Sequence, residues 1–193
     1  MSFDIHSTKD VYEICGKDIG EVKIPSDYSC YPSRRLFLYK NGGKVIGYCA
    51  VRFASANELN PRHCFVIDTF GIHESCRRSG FGSKLFSAVK EAINSPQWHF
   101  DLAVAGMLSG SSDCYVCLQS TYDYESYAKA LALYTRAEGD KVVIDMNKVV
   151  TSLTGSCAFW RRMGFENYKV SLDNTVIQPV LVMWYKIKIT YPH

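Results

Sequence analysis

The sequence predicts one mixed α/β domain in which helices flank a mostly antiparallel central sheet. Three observations lead there. Two strand-like runs, Leu36–Lys40 and Lys44–Phe53, are joined by Asn41-Gly42-Gly43, the composition of a tight hairpin turn. A near-continuous apolar run, Cys64–Ile72, then hands over to residues 80–94, where Phe81, Leu85, Val89, Ala92 and Ile93 recur at spacings of four and three. Two further strand-like runs, Asn167–Leu172 and Pro179–Ile189, close the chain. A hairpin, a buried strand, a helix and a closing strand pair together make a single sheet-centred α/β layer structure.

Taken in order, residues 8–19 read as a first helix with Thr8 at its start, and residues 25–35 as a loop. The hairpin follows, then a second loop at 54–63 and the strand Cys64–Ile72. The amphipathic helix from Gly80 ends before Pro96, which reads as its stop signal. Phe100–Ala105 reads as a strand, followed by the Gly/Ser stretch GMLSGSSD. Tyr115–Thr121 is strand-like. Tyr124–Ala137 reads as a helix ending near Gly139, Lys141–Ile144 as a short β-branched strand, and Ser152–Met163 as a helix closed by Gly164. There is no repeat, low-complexity tract or linker, so residues 1–193 are expected to form one domain with an extended segment at about 105–150.

Composition narrows the function classes. Hydrophobic residues make up 47% and charged residues 21% of 193, the balance of a globular protein able to bury a core. The net charge of +3 does not require a nucleic-acid partner, and it suits a polyanionic ligand. The arginine pairs Arg34-Arg35, Arg77-Arg78 and Arg161-Arg162 are dispersed rather than clustered, so nucleic acid is not the expected partner. No run of about 18 apolar residues predicts a membrane span. The N-terminal stretch lacks the basic-then-apolar layout of a signal peptide, so a cytoplasmic protein is expected. Its eight cysteines are then expected to be reduced thiols, several of them small core residues within apolar runs. Cys114 and Cys117 have the spacing of a zinc pair, but no second pair completes four ligands. Three residues apart on a strand, they face opposite ways. No metal site is predicted.

The chemistry concentrates at the corner Glu74-Ser75-Cys76-Arg77-Arg78-Ser79-Gly80-Phe81-Gly82, where strand becomes helix. A helix beginning near Gly80 has free N–H groups at its start, and its dipole favours an anion there. Gly80 and Gly82 clear side chains from the backbone, and Arg77 and Arg78 add positive charge. That combination suits a pyrophosphate. The same residues would equally make a tight turn with solvated arginines. The corner is neither a dinucleotide-binding G-x-G-x-x-G nor a Walker loop.

The run Phe70 to Gly82, with Arg77-x-x-Gly80-x-Gly82 opening a helix after a strand, resembles the acyl-CoA-binding motif of the GNAT superfamily of N-acetyltransferases. A second stretch, Phe159-Trp-Arg-Arg-Met-Gly-Phe165, is similar to that family's downstream Phe-Tyr-x-x-x-Gly-Phe signature, with Trp160 in place of the tyrosine. The resemblance spans roughly residues 36–185. It implies a GNAT-like fold, acetyl-CoA as cofactor, and an amine acceptor on a small molecule, peptide or protein. It implies that the corner holds the coenzyme A pyrophosphate through backbone N–H groups from Arg77 to Ser83 (Arg77, Arg78, Ser79, Gly80, Phe81, Gly82 and Ser83). It implies too that Phe70, Gly71 and Ile72 pair with the pantetheine arm like an added strand.

N-acetylation needs an unprotonated amine, a stabilised oxyanion and a proton for the departing thiolate. The resemblance points to a strand carboxylate as base. Asp68, a charge within Val66-Ile67-Asp68-Thr69-Phe70, is the candidate, with His73 and Glu74 as substitutes. The acid is open. Trp160 has an indole N–H that donates a hydrogen bond but does not cycle a proton, so it is expected to pack against the cofactor arm. Tyr134 is a weaker candidate acid, and Cys157 a remote candidate nucleophile. Leu153 stands where the family often has asparagine, leaving Ser152 or Thr154 as polar substitutes. The competing class is a non-catalytic acyl-CoA sensor or scaffold of the same fold. A homodimer is left open.

Overall fold

The computed structural model describes residues 3–5, 33–41, 44–55, 62–108, 113–121, 124–153, 156–173 and 178–191. The described chain divides into two compact units, residues 1–117 with 186–193, and residues 118–185. The helix expected at 8–19 lies outside the described residues.

In the first unit, β1 (Phe3–Ile5), β2 (Arg34–Asn41), β3 (Lys44–Ala54), β4 (His63–Ile72) and β5 (beginning at Cys114, in Cys114–Thr121) follow one another in the sheet. The pairs β1/β2, β2/β3 and β3/β4 are antiparallel; the hairpin signal predicts the second of them, and the sequence did not signal β1. Helix α1 (Phe81–Ile93) packs on β2, β3 and β4, burying Leu85, Phe86, Val89 and Ile93. Leu85, Val89 and Ile93 are positions that recur at helical spacing, whereas Phe86 lies outside that periodic set, and Phe81 and Ala92 of the set are only half-buried. Phe37, Phe65 and Trp98 cluster beneath, with Phe65 edge-on to Trp98 at 4.9 Å between centroids.

Residues 96–104 depart from expectation. Pro96 begins helix α2 (Pro96–Val104) rather than merely ending α1, and the strand expected at 100–105 is helix. Proline has no N–H to lose in a first turn, and Trp98 and Leu102, four apart, are both buried. The fully buried His99 on α2 accepts the Thr190 N–H at Nδ1 (3.0 Å), and its Nε2 meets the Ile93 carbonyl at 2.7 Å. One imidazole thereby joins the end of α1 to the segment after the last strand.

The second unit holds α3 (Tyr124–Tyr134), β6 (Thr135–Glu138), β7 (Lys141–Ile144), α4 (Met146–Leu153), α5 (Cys157–Arg162), β8 (Asn167–Asp173) and most of β9 (Gln178–Ile187). Helix α3 stops at Tyr134, three residues before its expected end, and the chain turns directly into the β6/β7 hairpin. Gly139 sits in that hairpin's turn at φ 62°, a conformation glycine adopts without strain. Of the helix expected over 152–163, Cys157–Arg162 is α5, while Ser152 and Leu153 end α4, whose start at Met146 the sequence did not signal. The closing strands β8 and β9 pair antiparallel as predicted. The observed architecture is the mixed α/β class with a mostly antiparallel sheet.

The cysteine expectation is corrected in one place. Cys64 on β4 and Cys117 on β5 form a disulfide, with Cα atoms 6.6 Å apart. Cys114 and Cys117 do diverge, as strand geometry requires, and Cys114 is buried and free. No helix among the described residues is long and apolar enough to cross a membrane.

Candidate active site

The strand-to-helix corner is built from backbone conformation. After Ile72, residues Glu74–Cys76 make one tight 3₁₀ turn. Arg78 is left-handed at φ 63°, and Gly80, at the start of α1, is left-handed at φ 80°. A Cβ at Gly80 would meet nothing within 4 Å, so its glycine serves the backbone and keeps the approach clear. Lys84 N–H donates to Gly80 O at 3.2 Å and closes the first turn. The N–H groups of Phe81, Gly82 and Ser83 therefore precede the first helical bond. No side chain caps this end and no acidic residue lies in its first turn, so its positive end is not neutralised locally.

The side chains around the corner divide the work. Arg77 Nε donates to Ile72 O at 3.0 Å, tying the loop to the end of β4. Arg77, Arg78 and Ser79 are exposed. Ser79 Oγ reaches the Arg77 carbonyl at 3.5 Å. The Phe81 ring packs against Tyr39 at 5.5 Å, so that residue has only its backbone to offer a ligand. On β4, the Phe70 ring faces Phe86 on α1. Gly71 lies under Tyr48, whose ring a Cβ would meet at 2.5 Å. That close approach explains a glycine within the strand. The end of β4 runs into the corner, whose uncapped helix start, with glycine and exposed arginine beside it, has the chemistry to fit a pyrophosphate.

Asp68 occupies a feature the sequence did not reveal. Ala50 pairs with Thr69 and Val51 with Ile67, so β4 carries one extra residue, Asp68, in a β-bulge. Bulges re-aim a side chain and concentrate near active sites. Arg52 of β3 grips the Asp68 carboxylate, Nε to Oδ2 at 3.2 Å and Nη2 to Oδ1 at 3.4 Å. Next to it, the Thr69 hydroxyl is buried without a hydrogen-bond partner. The signal for Arg52 was present as a charge alternating into the apolar run Gly47–Phe53. Nothing in sequence marked Thr69.

The remaining candidates are placed as follows. His73 Nδ1 meets Ser75 Oγ at 2.8 Å beyond the strand end, and Glu74 is exposed in the 3₁₀ turn. In the second unit, Trp160 is 8% exposed and sits edge-on to Phe159 and Phe165, at 4.8 and 5.3 Å, with Phe165 in turn against Tyr185. Tyr134 ends α3, half-buried, and its carbonyl accepts the Asp145 N–H at 3.0 Å. Ser152 Oγ donates to Val149 O within its own helix. Thr154 lies outside the described residues. Cys157 is fully buried. Burial pushes the Cys49 thiol up, with the Asp68 charge adding, and pushes Cys114 up to about 12, so both stay neutral thiols. Arg35 pairs with Asp101 at 3.0 Å and lies over Trp98, and Arg161 bonds Asn147 and lies over Tyr168, so one arginine in each of these two pairs is engaged within the fold.

Residues 6–102 match the model of the Acetyltransferase (GNAT) family. The chain belongs to that family. No curated protein matches the GNAT chain by sequence. Solved structures do. A GNAT-family chain from Desulfovibrio desulfuricans superposes with a TM-score of 0.52 at 10% identity, covering 96% of this chain and 98% of its own. Arabidopsis thaliana NAA60, in complex with a bisubstrate analogue, gives 0.51 at 15% identity, covering 98% and 99%. An aminoglycoside 6′-N-acetyltransferase complexed with coenzyme A gives 0.50 at 11% identity over the whole of both chains. At these identities the likeness is one of fold. The matched 6–102 segment contains the bulge, the end of β4 and the corner.

Proposed function

We propose that this GNAT chain is an acetyl-CoA-dependent N-acetyltransferase acting on a primary amine of a small molecule or peptide. The observation that carries the reading is the uncapped start of α1, with left-handed Gly80 and exposed Arg77 and Arg78 beside it. In this reading the N–H groups of Phe81, Gly82 and Ser83, with those of Arg77 to Gly80, hold the coenzyme A pyrophosphate. The backbone of Phe70–Ile72 pairs with the pantetheine arm. The bound thioester supplies the activated acyl carbon. Asp68 takes the amine proton, directly or through water, and Arg52 fixes the orientation of its carboxylate. The acid stays unassigned. A thiol with a pKa of about 8.5 is a good enough leaving group to depart with a hydrogen bond or water alone.

Two acceptor classes are the natural panel, since the structural relatives named above include an aminoglycoside acetyltransferase and a protein bound to a bisubstrate analogue. Titration calorimetry with coenzyme A tests the cofactor site. Gly82→Leu should abolish binding while the circular dichroism spectrum is kept, and unchanged affinity in that variant would sink the assignment. Release of free thiol with aminoglycosides or N-terminal peptides, followed by an acetyl mass shift, then identifies the acceptor. Acyl-CoA binding with no thiol release across the panel would favour the sensor reading, which Trp160 at the tyrosine position supports.

A further inference from the structure

The β6/β7 hairpin is a two-stranded sheet, and among the described residues no third strand joins it. Its residues are almost all exposed, including Val142 at 71% and Ile144 at 44%. A lone two-stranded ribbon is marginal in water. A β-branched edge strand left open is a template for pairing. We propose that β7 is a self-association edge, which pairs antiparallel with β7 of a second copy about a two-fold axis at Val143.

The backbone decides which groups face outward. Asp145 N–H donates to Tyr134 O at 3.0 Å, so Tyr134 and Asp145 form a hydrogen-bonded pair in line with the β6/β7 register. Hydrogen-bonded and non-hydrogen-bonded pairs alternate along an antiparallel ladder. Arg136 and Val143 are then a bonded pair, as are Glu138 and Lys141. Thr135/Ile144 and Ala137/Val142 are non-bonded pairs. The N–H and C=O groups of Val142 and Ile144 therefore point away from β6, towards the open edge.

A two-fold at Val143 sets Val142 opposite Ile144 of the second copy, and Ile144 opposite its Val142. These are the outward-facing residues, so the two pairs exchange four backbone hydrogen bonds. They are also the exposed apolar side chains, which meet on one face across the new junction. The same register sets Lys141 opposite Asp145 of the second copy, twice. That carboxylate is held below its usual range, mainly by the Lys148 backbone N–H; Lys148 Nζ lies 3.3 Å from its Oδ2, so Lys141 of the second copy would share an anion already paired within its own chain. Centring on Val142 instead loses both charge pairs and sets Lys141 against Val143. Of these two registers, the one centred on Val143 satisfies hydrogen bonds, apolar contact and charge together. The paired strands are four residues long and bury far less than the ~1,600 Å² of a standard interface, so the dimer is weak and concentration-dependent.

Sedimentation equilibrium on the full chain, from low micromolar to several hundred micromolar, tests this. The apparent mass should rise from 21.8 kDa towards twice that value, and added salt should oppose the rise. Val142→Pro removes an outward N–H while sparing the β6/β7 bonds, and should weaken association about tenfold or more. Ala137→Pro makes the same change on the β6 edge and should leave association intact. Should the melting curve show Val142→Pro to be misfolded, Lys141→Asp decides, since it sets like charges opposite each other and should likewise weaken the dimer. A wild-type chain that stays monomeric throughout overturns the proposal, pointing to another segment of the same chain on this edge. Dimerisation unaffected by both β7 variants, or lost only in Ala137→Pro, overturns it as well.

Discussion

Asp68 is the extra residue of the β4 bulge, and Arg52 on the neighbouring strand holds its carboxylate by two bonds, at 3.2 and 3.4 Å. The bulge takes Asp68 out of register with β3, and Arg52 then fixes where its oxygens point. If Asp68 is the base, Asp68→Asn keeps the shape and removes proton acceptance. Turnover on amines should fall by about 10²–10⁴ with acyl-CoA affinity little changed. Arg52→Gln should lower kcat by less, again without changing acyl-CoA affinity, because it loosens the carboxylate without deleting it. Steady-state kinetics and calorimetry on both variants check this. An Asp68→Asn enzyme within about threefold of wild type at saturating substrate would remove Asp68 from the mechanism.

The buried, unpartnered hydroxyl of Thr69 is a local defect beside that carboxylate. Thr69→Val is close to isosteric and deletes the orphaned polar group. The variant should therefore be more stable, by about 1–3 kcal/mol if the whole desolvation penalty is recovered. Chemical denaturation measures this directly. A destabilised variant would show that the hydroxyl has a partner in solution, such as an ordered water.

Trp160 stands within an aromatic stack of Phe159, Phe165 and Tyr185. Trp160→Phe should keep most activity, because an aromatic ring still fills the site. Trp160→Ala should cost about 3–5 kcal/mol in stability, the usual range for deleting a large buried ring. Loss of turnover in the Phe variant, at unchanged melting temperature and acyl-CoA affinity, would give the indole N–H a part in the chemistry.

The Cys64–Cys117 link closes 53 residues of chain between β4 and β5. A cross-link of that span typically contributes about 2–4 kcal/mol by restricting the unfolded state. Dithiothreitol should lower the melting temperature of the wild type and leave a Cys64→Ala/Cys117→Ala double variant unmoved. Equal melting with and without reductant would mean that the link is not formed in solution.

Local patterns carried much of this protein. Asn41-Gly42-Gly43 specified the β2/β3 turn, the spacing of Leu85, Val89 and Ile93 specified the buried face of α1, and Arg77-x-x-Gly80-x-Gly82 marked the corner. Each rests on interactions among residues near in sequence, where propensity and period act directly. The failures were at element ends and in one element type, the strand expected at 100–105 that is helix. Pro96 reads as a stop or a start according to which neighbour packs against it, and α3 ended at Tyr134 because the β6/β7 hairpin competed for the next residues. Tertiary structure alone decided the rest. The bulge at Asp68 exists only as a mismatch between two strands, since β4 has one residue more than β3 between Thr69 and Ile67. Its Arg52 partner lies 16 residues away and the cystine of Cys64 lies 53 away. Composition names the residue types able to make such contacts. Which of them meet is set by strand order and register, because a shift of one residue turns every side chain to the other face of the sheet.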